Sequence, residues 1–192
     1  GFVPDQTSET RQAIANDLCQ SEVVISSGGV SVGDYDYVDQ ILAELGATLH
    51  IRAVAVKPGK PLTVATFKQD DKPQQIYFGL PGNPVSSLVS FWRFVQPALR
   101  KLSGVKTGWV PTFVWAKTES DLSAGGKRET YLWGQLSAGD DGYRFTLASG
   151  GLSSGNLVNL SRTNGLARVP LGETIIQTGS AIQVLVTGAI NS

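Results

Sequence analysis

An apolar run that breaks into glycines and then into acids constrains this chain more than any other feature. Val23 to Asp39 reads VVISSGGVSVGDYDYVD. Val23, Val24 and Ile25 favour a buried strand, because branched side chains suit extended backbone. Gly28, Gly29 and Gly33 permit a tight turn and let a ligand approach bare N–H groups. A helical pattern follows, with Asp34 and Asp36 near its start. A second copy of this logic lies downstream: Gln75 to Phe78 reads as a strand, and GLPGNPVSS (79–87) is a glycine-rich turn. An apolar helix is expected from Leu88 to Leu102, kinked or briefly broken at Pro97. Strand, glycine turn and helix, twice over, predict an α/β sheet that binds ligands beyond its strand ends.

Other elements fill in around this pair. Thr7 to Leu18 predicts a helix capped by Thr7 or Ser8, with Ala13, Ile14 and Leu18 on one face. Tyr37 to Leu45 predicts a second helix, stopped by Gly46. Leu49 to Val56 and Leu62 to Phe67 read as strands. Between them, KPGKP (57–61) sets two lysines three positions apart in a proline-stiffened turn, a frame that can converge on one anion. After Ser103 to Gly108 the character changes. Short alternating runs separated by Gly and Asp clusters predict a small β-barrel or sandwich over 107–192, following an α/β domain over 1–106. Trp109, Trp115 and Trp133 are expected to cover its core or its seam with the first domain, and Asn164-Gly165 to form a turn.

Composition excludes several classes. The 192 residues carry 16 Lys+Arg and 16 Asp+Glu, so no nucleic-acid surface is indicated. No apolar run reaches the ~18 residues of a membrane span, and residues 1–11 lack signal-peptide character. The single cysteine, Cys19, excludes an internal disulfide and is expected to be a small buried hydrophobe. The single histidine, His50, is expected to be a packing or surface residue, so no Ser-His-Asp arrangement can activate Ser26, Ser27 or Ser31. Three loops remain with complementary chemistry. One carries hydroxyls and carboxylates, one carries Lys57 and Lys60, and one carries backbone amides with Ser86 and Ser87. Arg128, in AGGKRETYL, and Ser153 and Ser154, in GGLSSGNL, either face solvent or close over the same anion.

The motifs SSGGVSVGDYDYV (26–38), KPGKP (57–61), GLPGNPVSS (79–87) and, more loosely, NLVNLSRTNGLARVP (156–170) resemble the molybdopterin molybdenumtransferase family. That family comprises MoeA-type proteins, the gephyrin E domain and its plant counterpart. The resemblance implies a molybdopterin-binding-type three-layer α/β domain, here N-terminally incomplete, followed by a small β-barrel-like domain. It implies insertion of molybdate into adenylylated molybdopterin with release of AMP, and magnesium as the cation. It implies catalytic roles for Asp36, Lys57 and Lys60, and metal binding by Asp36 and Asp34. Substrate binding would fall to Gly28, Gly29, Ser31, Pro61, Gly82, Ser86, Arg128 and Ser154. Gly155 stands where the family often has a basic residue, and Trp133 where some members have a second arginine. Family members are about twice this length, so the chain is expected to be a fragment, inactive alone, or to borrow a strand from another chain. A cytoplasmic homodimer touching the preceding adenylyltransferase of the pathway is the implied setting. The alternatives are a non-catalytic scaffold or dimerisation module, and a molybdopterin adenylyltransferase.

Overall fold

The computed structural model describes residues 1–3, 6–29, 37–68, 74–149 and 157–190, the side chains of 157–159 excepted. The chain divides into two compact units, one formed by 1–54 and 59–87, the other by 55–58 and 88–192.

The first unit opens with α1 (Thr7–Gln20), β1 (Val23–Ser27), α2 (Tyr37–Glu44) and β2 (Thr48–Ala53). The Leu49–Val56 run is therefore two elements: the chain leaves the first unit at Ala55, and β3 (Val56–Lys57) pairs in the second unit. Alternation alone cannot say that a run changes sheets partway. Val54 N–H donates to Lys60 O at 2.9 Å and closes the neck of this excursion, and Gly59 makes the return at φ +109. β4 (Pro61–Phe67) and β5 (Gln75–Leu80) complete a four-stranded sheet in the order β1-β5-β4-β2. β1 and β5 are parallel neighbours, while β4 is antiparallel to both β5 and β2. Apolar side chains of α1 and α2 (Ile14, Leu18, Val38, Ile41, Leu42) pack with Val24, Ala65, Phe67 and Tyr77 into one core. The cap of α1 is Gln6, without a side-chain bond, rather than Thr7 or Ser8. Cys19 is exposed, on the outer side of the last helical turn, and not a core residue. His50 is exposed in β2 and hydrogen-bonds the Thr66 hydroxyl at 2.7 Å across the ladder to β4.

The expected long helix starts earlier, inside the glycine turn. It runs as α3 (Pro84–Ser90), a π-helical turn (Phe91–Val95) and α4 (Gln96–Leu102). Asn83 accepts from Ser86 N–H at 3.2 Å as an N-cap, and Pro84 occupies the first helical position, where its missing donor costs nothing. Pro97 sits in the first turn of α4, where the wider π turn before it supplies the irregularity that proline requires.

The second unit holds β6 (Phe113–Thr118), β7 (Leu122–Ser123), β8 (Glu129–Gly139), β9 (Gly142–Leu147), β10 (Gly165–Val169), β11 (Ile175–Ile176) and β12 (Ala181–Val186). The pairings β8–β10–β12–β6–β9–β8 close a five-stranded barrel-like sheet, with β3 added in parallel beside β8. Inward residues such as Leu132, Leu136, Phe145, Ala167, Ile182 and Val184 fill it. Two positions depart from the sequence expectation. Trp115 is 65% exposed on β6 and covers no core, because its neighbour Ala116 takes the inward place. Asn164 is not turn chemistry but a buried clasp. Its Oδ1 accepts from Leu136 N–H at 2.6 Å, and its Nδ2 donates to Leu136 O at 2.8 Å and to Ala189 O at 2.7 Å. Asn164→Ala would strand the buried amide of Leu136, and we expect a loss of about 3 kcal/mol, read as a lowered denaturation midpoint at an unchanged slope in urea.

Candidate functional site

In the first unit, parallel pairing sends β1 and β5 out of the sheet at the same end. Both glycine turns therefore emerge side by side. Gly28 N–H donates to Leu80 O at 3.1 Å, and a Cβ on Gly82 would lie 3.3 Å from the Gly28 Cα. Gly28 (φ +96) and Gly29 (φ +71) use backbone that other residues rarely adopt, and a Cβ on Gly29 would strike the Tyr37 hydroxyl at 2.7 Å. The structure thus brings Gly28, Gly29 and Gly82 together. A cavity of about 510 Å³ opens beside them, lined by Ser26, Ser27, Gly28, Gly29, Tyr37 and Tyr77 among others. Ser26 and Tyr77 hydroxyls are 2.5 Å apart on its wall.

The hydroxyls of the second turn are locally engaged. Ser27 Oγ donates to Pro81 O at 3.0 Å and lies 3.3 Å from Ser87 Oγ. Ser87 Oγ donates to Pro81 O and to Asn83 O, and the buried Ser86 hydroxyl reaches Asn83 Oδ1 at 3.4 Å. These bonds brace the turn. Lys60 belongs to this unit, exposed, with the partly buried Pro61 opening β4.

Lys57 belongs to the second unit, where its backbone lies in the same ladder end as Arg128. In the β3–β8 ladder Val56 faces Glu129 and Lys57 faces Thr130, while the Arg128 guanidinium donates to Val56 O at 3.3 Å. Lys57 and Arg128 thereby stand at one end of β8, on segments that the Arg128–Val56 bond links across 72 residues of sequence. The backbone of Lys57 is fixed by the ladder and its side chain is exposed.

Directly after Arg128 comes a charged cluster that sequence reasoning missed. Arg93, carried on the π turn, donates through Nε to the Tyr131 hydroxyl oxygen at 2.8 Å. That hydroxyl donates to Glu129 Oε1 at 2.7 Å, and Arg168 Nε donates to Glu129 Oε2 at 2.6 Å. Arg93 Nε also lies 3.8 Å from Oε1, and Arg168 is steered by Gln183 Oε1 at 2.7 Å. Tyr131 is 1% exposed; burial first, then the bond to Glu129, pushes its phenol well above the ordinary range, so it stays a donor. The available signal was period two: Glu129 and Tyr131 share a strand face, and Arg168 interrupts the apolar alternation of GLARV.

Ser31, Asp34, Asp36 and Ser154, with Ser153 beside it, lie outside the described residues. Among the described residues, no group of three His, Cys, Asp or Glu could hold a metal ion, and no helix is long and apolar enough to cross a membrane.

Comparisons with known proteins converge on one family. Residues 1–101 match the family described as "Probable molybdopterin binding domain", and residues 116–187 match "MoeA C-terminal region (domain IV)". A molybdopterin molybdenumtransferase from Nostoc sp. is 56% identical over 185 residues, which is 96% of this chain and 42% of the relative. Gephyrin from Dictyostelium discoideum is 31% identical over 210 residues, all of this chain and 29% of the relative. The chain therefore spans less than half of the curated relatives it matches. A crystal structure of a molybdopterin biosynthesis MoeA protein from Pyrococcus horikosii superposes with a TM-score of 0.78 at 22% identity, covering 98% of this chain and 43% of that one, and shares its fold. With its glycine turns paired at one sheet end, its closed five-stranded barrel and both family matches in order, the chain belongs to the MoeA-type molybdopterin molybdenumtransferase family.

Proposed function

We propose that in the full-length protein this chain takes part in inserting molybdate into adenylylated molybdopterin, with release of AMP. The observation that carries the reading is the juxtaposition of Lys57 and Arg128 at the head of β8, two exposed or half-buried cations with a fixed backbone beneath them. An arginine offers a planar fork of donors and a lysine a compact point charge, a combination suited to a doubly charged tetrahedral oxyanion. In the first unit, the Gly28, Gly29 and Gly82 turns bare backbone at the cavity mouth, where a phosphate-bearing pterin could approach without side-chain obstruction. Lys60, Pro61 and Ser86 are proposed as further contacts to substrate.

The chemistry asks little of the protein covalently. Molybdate and its acceptor are both anionic, so fixed cations that lower their mutual repulsion, together with orientation, account for the rate. Lys57, Lys60 and Arg128 would supply the charge. No side chain has to act as a nucleophile. Magnesium, which Asp34 and Asp36 would hold, is proposed as the neutraliser of phosphate charge; both acids lie outside the described residues. The proposed setting is a cytoplasmic homodimer that receives its substrate from the preceding adenylyltransferase. Trp115 and Val110, 65% and 50% exposed, offer apolar surface that a second subunit could cover. The test is direct. Full-length protein given adenylylated molybdopterin, molybdate and magnesium should release AMP, and omission of molybdate should suppress release; AMP appearing at the same rate without molybdate would overturn the transferase reading.

A further inference from the structure

We propose that Glu129 is a positioning residue for Lys57: its backbone carries the short strand on which Lys57 stands, and its side chain is anchored on the opposite face of β8. The inference rests on the anion-binding reading of Lys57, and goes beyond it by assigning a role to Glu129 and to the groups that hold it.

β3 is a strand of two residues, Val56 and Lys57. Fixing each residue's backbone costs about 1–2 kcal/mol of conformational entropy, so a ladder this short needs a partner already in place. The partner is the head of β8, where support from the barrel runs out. The β8–β10 register ends at Thr130 and Val169, and the β8–β9 register at Gly134 and Leu147. Glu129 lies past both. Yet Glu129 is the residue that faces Val56, and its N–H donates to Ala55 O at 3.0 Å. The first of the two β3–β8 pairs thus depends on a residue that neither barrel ladder holds.

The Glu129 side chain supplies that support. Arg168 faces Tyr131 across the β8–β10 ladder, so its side chain shares their face and reaches Glu129 on the diagonal. Arg168 Nε donates to Oε2 at 2.6 Å, and the Tyr131 hydroxyl donates to Oε1 at 2.7 Å. Each of these partners is itself held. Gln183, the cross-strand neighbour of Arg168 in the β10–β12 ladder, accepts from its Nη1 at 2.7 Å. Arg93 donates to the Tyr131 hydroxyl at 2.8 Å and lies over the rings of Phe94 and Phe113. Glu129 is thereby tied to β10, to its own strand and, through Tyr131, to the π turn.

The division between faces gives the arrangement its use. The parallel register sets Val56 and Glu129 on one face, Lys57 and Thr130 on the other. The anchor therefore fixes the ladder from behind, and the Lys57 side chain stays exposed. Apolar side chains of similar volume often match a buried ion cluster in stability, but directional bonds hold a strand end at one position.

The test uses full-length protein, calorimetric titration with sodium molybdate, and hydrogen exchange over residues 55–58 and 128–131. Glu129→Ala and Arg168→Ala are each expected to weaken molybdate binding about fivefold and to speed exchange of the Glu129 amide. Arg168→Lys keeps a charged donor for Oε2 and should stay within about twofold of wild type. The deciding comparison removes Lys57. In a Lys57→Ala background, which keeps Arg128 to bind molybdate, Glu129→Ala should change affinity by less than about twofold, whereas a purely stabilising cluster would cost the same in both backgrounds. Thermal unfolding identifies the variants that stay folded. Tyr131→Phe, which deletes one hydroxyl and keeps the ring, gives the same comparison at smaller size where an alanine variant unfolds. Unchanged exchange at Glu129, wild-type molybdate affinity in the folded variants, or an undiminished loss in the Lys57→Ala background would overturn the proposal. Absence of molybdate binding by the wild type would instead overturn the anion reading of Lys57.

Discussion

Replacing Lys57 and Arg128 together by alanine is expected to lower molybdate-dependent AMP release by on the order of a thousandfold, with little change in thermal stability. Each charge-assisted contact to an oxyanion is worth about 1.5–3 kcal/mol, or roughly ten- to a hundredfold in rate when the contact is made in the transition state. Lys57 is exposed and Arg128 only half-buried, so neither side chain is needed to fill the barrel. Arg128→Lys should recover a minor part of the loss, because an ammonium cannot reproduce the two parallel donors of a guanidinium. Lys117→Ala is the control: its amine pairs with Asp141 at 3.0 Å on the surface of β6 and takes no part in the proposed chemistry. The readout is AMP produced per unit enzyme at saturating pterin. A double variant within tenfold of wild type would remove these two cations from the proposed mechanism.

The largest expected effect on folding comes from a single methyl group. A Cβ at Gly134 would lie 2.3 Å from Phe145 Cζ and 2.4 Å from Thr146 O. The first atom belongs to a fully buried ring and the second to the backbone of the adjoining strand β9, so neither can retreat cheaply. Gly134 O also accepts from Asn164 N–H at 3.2 Å, beside the clasp that ties β8 to the segment before β10. We expect Gly134→Ala to cost about 3 kcal/mol or more, a fall in midpoint of roughly 10 °C by circular dichroism. Gly139→Ala, where the nearest contact is the flexible Arg144 side chain at 3.3 Å, is the comparison that should be nearly silent. Equal melting of the two variants would contradict the packing described for β8 and β9.

These residues also show what the sequence could and could not disclose. The two glycine turns were legible because strand, turn and helix follow one another within each motif, and parallel pairing then leaves them little choice but to emerge together. The barrel strands were legible from alternation. Four features were not. Leu49 to Val56 reads as one strand because alternation carries no record of which sheet a residue joins. Apolar periodicity alone starts the long helix at Leu88, while capping by Asn83 starts it earlier, at Pro84. Asn164 before a glycine has the composition of a turn, and only the three-dimensional path reveals Leu136 and Ala189 within its reach. The Glu129 cluster draws on four residues scattered from 93 to 168, and no local pattern joins them.

The excursion at Ala55 carries a consequence for how the protein is made. Arg128 follows Val56 by 72 residues, and β8 begins directly after it. At about 5–20 residues per second, the ribosome delivers the partner strand roughly 4 to 14 s after Val56 and Lys57 have been synthesised. During that interval the nascent chain holds a pinched-off segment with its ladder unmade. Lys57 is thus translated well before the strand that fixes its backbone, and a release of the polypeptide before β8 emerges would leave it without that strand.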